Sequence, residues 1–155
     1  MTQTLLDKIV NFLDHEKINY QLTIHEPVRT SEEAAKLRGV PLSSGAKAMV
    51  VKCKSKYYLF VLRANTKLDW KKVKVILNNS DAHLAPIEEA EKITGVQIGA
   101  VAPFGNLMGL PTYFDKKLLQ NIDVNFNAGL RTHSINMKIV DLVTLVKPIV
   151  EDFSG

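Results

Sequence analysis

The 155-residue sequence contains a single cysteine, Cys53, a single tryptophan, Trp70, and only 7% aromatic residues. One cysteine cannot close an internal disulfide and lacks the companions of a zinc cluster, so oxidative stapling and structural zinc lose support and a reducing compartment fits best. The histidines at 15, 25, 83 and 133 lie far apart with no ligand spacing, so neither a metal nor another cofactor is expected. No run approaches the roughly 18 apolar residues of a membrane span. The opening stretch, MTQTLLDKIVNFLDHEK, intersperses charges too often for a signal peptide, and a cytoplasmic protein with no membrane attachment is expected. The charge excess is also small: 20 Lys and Arg against 16 Asp and Glu, a net of +4. That permits a polyanionic partner without establishing one.

What the chain does have is 46% hydrophobic content without a shift in composition, which suggests one domain over 1–155. Leu5, Leu6, Ile9, Val10 and Leu13 recur at helical spacing and predict a helix ending near Glu16 or Lys17. Tyr20 to His25 reads as a strand. Thr30 and Glu33 form a capping-box pattern ahead of a short helix that Gly39 stops. Ala48 to Cys53 and Tyr57 to Leu62 read as a hairpin across Lys54-Ser55-Lys56, although its turn lacks the usual Asn-Gly. Asp69 can cap a helix through Leu77, while Pro86 and Gly95 bracket another over Ile87 to Thr94. Gly95, Gly99, Pro103, Gly105, Gly109 and Pro111 then break up the longest irregular segment. Strands are expected over Thr112 to Phe114, Val124 to Ala128 and Ser134 to Met137, and a closing helix over Ile139 to Val146. Connections too short for crossover helices disfavour a doubly wound sheet, so the expected class is α+β, a compact domain with a mixed, largely antiparallel sheet flanked by helices.

Several segments could carry chemistry. Lys47 sits where a Gly-containing loop enters an apolar strand, within Ser44-Gly45-Ala46-Lys47-Ala48-Met49-Val50-Val51-Lys52. There it could direct its ammonium into a cleft and stabilise a phosphate or a polarised carbonyl, or be a solvated lysine at a strand end. Gly99-Ala100-Val101-Ala102-Pro103-Phe104-Gly105 carries no charge and could bring backbone N–H groups to an oxyanion or a terminal ribose, or simply make turns. Ala128 and Gly129 follow a strand and could again bring backbone close to a ligand, and His133 adds a titratable ring. Thr30 and Ser31 could offer hydroxyls and N–H groups to a substrate, or serve as a helix cap. Lys67, Lys71, Lys72 and Lys74 surround Trp70. That grouping suits a single-strand binder, and equally a helix with a basic outer face whose tryptophan packs on the core beside Val73 and Leu77. Cys53 lies in an apolar strand and reads as a core residue.

Gly45-Ala46-Lys47-Ala48-Met49-Val50-Val51-Lys52, Gly99-Ala100-Val101-Ala102-Pro103-Phe104-Gly105 and Phe126-Asn127-Ala128-Gly129, taken in order, resemble the YbaK-like family, which includes the editing domain inserted in bacterial prolyl-tRNA synthetases. The likeness runs from about Tyr20 to Leu145 and extends to Thr30-Ser31-Glu32-Glu33-Ala34-Ala35 and Gly109-Leu110-Pro111-Thr112-Tyr113-Phe114-Asp115. The resemblance implies a freestanding deacylase that removes the wrong amino acid from mischarged tRNA, in trans, without metal or protein nucleophile, and with a synthetase as a possible partner. Lys47 matches the family's essential lysine and would hold the tRNA's 3′ end or the substrate carbonyl. Gly99 and Pro103 match its Gly-x-x-x-Pro signature, whose loop would position the ester through backbone groups. Some relatives carry an alanine-recognising histidine near the place of His133, but Leu130-Arg131-Thr132 do not reproduce that pattern.

The physical need for such an enzyme is clear, because a synthetase pocket gains only about 1–3 kcal/mol from one methylene and small wrong amino acids pass. The expected mechanism places the ester between Lys47 and the loop amides, with water attacking and the ribose 2′-OH relaying the proton, since no well-placed Ser-His or Cys-His pair is evident. Two other classes stay open: a silent tRNA-binding or synthetase-associated module, and a hydrolase of small aminoacyl esters. Alanine, cysteine, serine and threonine are all candidate leaving amino acids.

Overall fold

The computed structural model describes residues 3–28 and 30–155, without the side chain of Ser31. Helix α1, Leu5–His15, begins at a capping box in which the Thr4 hydroxyl accepts from the Asp7 N–H at 3.1 Å and the Asp7 carboxylate accepts in return from the Thr4 N–H. It buries Leu5, Ile9 and Leu13, one face of the predicted stripe. After strand β1, Tyr20–Ile24, helix α2, Ser31–Arg38, starts at Thr30, whose hydroxyl accepts from the Glu33 N–H at 3.1 Å, and stops at Gly39 with φ +70°. A 3₁₀ turn, Leu42–Ser44, leads into the hairpin of β2, Ala46–Cys53, and β3, Lys56–Arg63. Its two-residue turn puts Lys54 at φ +59°, and the Asp81 carboxylate accepts from the Lys54 N–H at 2.9 Å, so a tertiary contact supports a turn without glycine.

The second half runs α3, Trp70–Ile76; β4, His83–Leu84; α4, Ile87–Thr94; α5, Gly105–Met108; and β5, Thr112–Asp115. A 3₁₀ turn, Lys116–Gln120, leads to β6, Asp123–Asn127; β7, His133–Lys138; α6, Ile139–Val146; and β8, Ile149–Glu151. The strands form two sheets rather than one. A small antiparallel sheet has the order β1-β7-β6, and a larger mixed one the order β4-β2-β3-β5-β8, in which β5 and β8 add in parallel. A single parallel bridge, Gly45 to Asn125, links them beside the entry to β2.

The larger sheet is covered on both faces. Ala46, Val50, Leu59 and Val61 join α1, α6 and the small sheet in the main core, while Val51, Cys53, Phe60 and Leu62 pack with Val73 of α3 and Phe153 in a second one. β3 is therefore apolar without alternation, as expected for a strand buried on both sides. Asp115 is fully buried yet satisfied: its carboxylate accepts from the N–H groups of Lys117, Phe153 and Ser154 and from the Ser154 hydroxyl, pinning the C-terminal residues against β5. The expected α+β mixture, hairpin and helices are all present. β4 and β8, two and three residues long, carry no readable period, and the breaker-rich segment folds one turn of helix, α5.

Candidate active site

β4 covers β2 only at Val51 and Lys52, so residues 46–49 form an open strand edge. The Ala64 N–H donates to the Gly45 carbonyl and the Ala85 N–H to the Val50 carbonyl. By the alternation of an antiparallel ladder, the peptide groups of Ala48 therefore point away from β3 toward that open edge. Against it lies a cavity of about 250 Å³, walled by α2, the turn before β2, β6 and the Gly99 loop. Its lining includes Thr30, Arg38, Ser44, Lys47, Gly99, Val101, Asn125 and Asn127 together with Ala34, Ala35, Ala48 and Met49. Small side chains at 46 and 48 keep the edge accessible.

Lys47 is half-buried and forms no ion pair or hydrogen bond with the described residues. Burial pulls its pKa below the ordinary lysine value. Glu32 partly offsets this, and the like charge of Lys67 adds to it. Among the described lining residues the other cation is Arg38. Its guanidinium donates to the Ser134 hydroxyl from Nη2 at 2.6 Å and from Nε at 3.1 Å, and to Asn127 Oδ1 at 3.1 Å. Burial lowers its pKa to about 10, leaving it charged at neutral pH. Asn127 Nδ2 in turn donates to the Gly99 carbonyl at 2.6 Å, and Arg131 donates twice to the Ile98 carbonyl. Asn127 of β6, itself held by Arg38 of α2, and Arg131 from the β6–β7 connection thus clamp the loop.

Within the loop, Gly99 takes φ +88°, a left-handed conformation suited to glycine. The Ile98 N–H donates to Glu91 and the Ala100 N–H to the Gln97 carbonyl. The N–H groups of Gly99 and Val101, two residues that line the cavity, have no partner among the described residues. No described lining residue is a histidine, cysteine, aspartate or glutamate. Lys47, Gly99 and Val101 thus line one cavity, an ammonium and backbone amides of the kind an oxyanion accepts from, and no described lining residue is a base at neutral pH.

A Ser-His pair does exist, but away from the cavity. His25 Nε2 lies 2.6 Å from the Ser134 hydroxyl, while its Nδ1 lies 2.7 Å from the Glu26 carbonyl. Neither residue lines the cavity, and Ser134 is 3% exposed with its oxygen already bonded to Arg38. The pair orients Arg38.

The aminoacyl-tRNA editing domain family matches residues 25–145. The chain belongs to this family. Among its relatives is the Multifunctional Ser/Thr-tRNA deacylase ProXp-y of Escherichia coli strain K12, 28% identical over 151 residues that span 94% of this chain and 90% of that protein. The proline–tRNA ligase of Caldicellulosiruptor bescii is 32% identical over 102 residues, 64% of this chain but 18% of the ligase. A crystal structure described as a candidate trans-editing enzyme for prolyl tRNA synthetase superposes with a TM-score of 0.83 at 23% identity, covering 100% of this chain and 99% of that one.

In this editing domain, Thr30, Lys47, Gly99 and Val101 meet at the cavity, Thr30 while also capping α2. Ser31 opens α2, and its side chain lies outside the described residues. The other residues singled out by sequence stand behind the lining. Ala100, Ala102 and Pro103 are buried, and Phe104 packs edge-on against Phe12 and Phe126 in the main core. Gly105 allows close contact with Thr112, where a Cβ would collide with the hydroxyl. Ala128 is buried, and the Gly129 N–H donates to the Ala100 carbonyl while its backbone packs on Leu5 and Leu6 of α1. His133 bonds the Thr132 hydroxyl and does not line the cavity. Sequence reasoning missed Arg38 as a lining residue and Asn125 and Asn127 as a pair. Polar residues at period two in a strand whose other face is buried were the available signal. Among the described residues no cluster of three His, Cys, Asp or Glu could hold a metal ion, and no helix is long and apolar enough to cross a membrane.

Proposed function

We propose that Lys47 and the amides of Gly99 and Val101 hold the aminoacyl ester of a mischarged tRNA while a water attacks its carbonyl. The activity is that of a trans-acting aminoacyl-tRNA deacylase, a hydrolase of carboxylic esters in translation proofreading. Water adds to the carbonyl carbon, negative charge grows on the carbonyl oxygen against the two N–H groups and the ammonium, and the C–O bond to the ribose 3′ oxygen breaks. The 3′ oxygen leaves with a proton relayed through the adjacent 2′-OH, because the described lining offers no basic side chain at neutral pH. Products are free amino acid and intact tRNA.

The observation that carries this reading is that an ammonium and a loop with two amides, all without partners among the described residues, line one cavity at an open strand edge. Arg38 and Asn127 act as positioning residues that fix the Gly99 loop. The cavity's small volume suits a small amino acid, and Thr30, Ser44 and Asn127 could pair with a side-chain hydroxyl. With a relative named as a Ser/Thr-tRNA deacylase, this supports serine and threonine as the amino acids removed. Cytoplasmic action on tRNA released by a synthetase fits the same reading.

The test is to incubate the purified protein with seryl-, threonyl-, alanyl- and cysteinyl-esters on noncognate tRNA and follow release of label. Fastest release from the seryl and threonyl esters is expected, with no release from a 3′-linked ester on a 2′-deoxy terminal adenosine. Rapid cleavage of the 2′-deoxy substrate would refute the proton relay, and equal rates on free aminoacyl esters would refute tRNA as substrate.

A further inference from the structure

A second groove, of about 360 Å³, adjoins the ester cavity and is lined by Lys47, Met49, Lys67, Leu68, Trp70 and Leu84. Lys47 and Met49 line both spaces, so the two meet across the open edge of β2. Met49, Leu68 and Leu84 give it apolar walls, and Lys47 and Lys67 supply cationic ends. Trp70 is the first residue of α3, and Asp69 is held as the cap of that helix by the Lys71 and Lys72 N–H groups. The tryptophan packs partly against the second core and remains half-exposed. Its indole N–H has no partner among the described residues, and since no buried side-chain nitrogen or oxygen among them is left unpaired, that N–H reaches solvent. Lys67 is exposed and makes no ion pair with the described residues. The core-packing role anticipated from the spacing of Val73 and Leu77 thus accounts for only part of this side chain.

An aromatic ring with apolar flanks and cations at the rim is the chemistry that holds an unpaired nucleobase beside its phosphate. With the ester at Lys47, the ribose that carries it sits at the junction of the two spaces, and the base on that same ribose is the group positioned to enter the groove. We propose that the Trp70 groove seats the terminal adenine of the tRNA acceptor end, with Lys67 meeting the phosphate on its 5′ side. This rests on the deacylase reading above. It assigns the nucleotide's base and phosphate to residues that take no part in the hydrolysis.

Because Trp70 is the only tryptophan, its emission reports on the groove alone. Adenosine 5′-monophosphate should change that emission saturably in the wild-type protein, and ribose 5-phosphate should not. Trp70→Ala should raise KM for the mischarged tRNA about tenfold or more, in line with the loss of one stacked base, with little change in kcat. Trp70→Phe should recover most of the loss. On a glyceryl ester of the same amino acid, which has no base, Trp70→Ala and wild type should turn over alike. Unchanged emission with adenosine monophosphate, or equal losses on both esters, would overturn the groove assignment. Undiminished turnover of both esters by Lys47→Ala would instead overturn the deacylase site, with the emission titration still reading the groove.

Discussion

Lys47 and Lys52 lie on one strand, five residues apart and on opposite faces, and they meet opposite fates. Lys52 pairs with Glu89 at 2.6 Å, lies 5.7 Å from the centre of the Tyr57 ring, and has its pKa raised, chiefly by the hydrogen bond to Glu89. Tyr57 donates to the same carboxylate. Lys47 has no such partner, and burial lowers its pKa. The covering strand β4 ends between them. Where β2 is covered, a lysine is neutralised in a partly exposed ion pair of the kind that adds little to stability. Where the edge is open, a lysine keeps its charge available to a ligand at a cost in desolvation.

The sharpest way to break this contrast is to truncate each lysine. Lys47→Ala should lower kcat for deacylation by about 10²–10³-fold, the usual cost of removing a group that stabilises an oxyanion. Lys52→Ala should stay within about twofold. Steady-state release of labelled amino acid measures both, with circular dichroism to confirm folding. Asn127→Ala removes the clamp on the Gly99 carbonyl and one Arg38 partner, so kcat/KM should fall about tenfold with the fold retained. Next, Gly129→Ala would force a side chain into a φ of +89° with its Cβ 3.0 Å from the Leu6 backbone nitrogen. It should cost about 1–3 kcal/mol in denaturant unfolding and only secondarily affect activity. The smallest effect is in titration. Followed by NMR of the ε-ammonium groups, Lys47 should lose its proton at lower pH than Lys52, because burial favours the neutral amine at 47 while Glu89 favours the ammonium at 52. Deacylation above the spontaneous rate should therefore fall as pH rises through the lowered Lys47 value.

Much of this architecture could be read from local pattern. The α1 stripe, the Thr30 cap, the Gly39 stop and the β2-β3 hairpin each follow from residues within a few positions of one another, and each is present. The division into two sheets could not be read that way. It depends on β3 pairing in parallel with β5, and β5 with β8, contacts between segments far apart in the chain. The same limit applies to the site. Lys47 and Gly99 stood out because small residues and glycine surround them, whereas the chain Arg38–Ser134–His25 joins residues about a hundred positions apart. Phe104 and Gly105 were grouped with the loop because they are contiguous with it. Contiguity does not determine facing, and both turn to the interior.

The central claim is geometric, and a crystal structure with a seryl-adenosine analogue whose ester is replaced by a 3′-amide tests it most directly. The account predicts the analogue's carbonyl oxygen at roughly 3 Å from the N–H of Gly99 or Val101, with the Lys47 ammonium facing the same atom. An analogue bound with its carbonyl out of reach of both the lysine and the loop would contradict it.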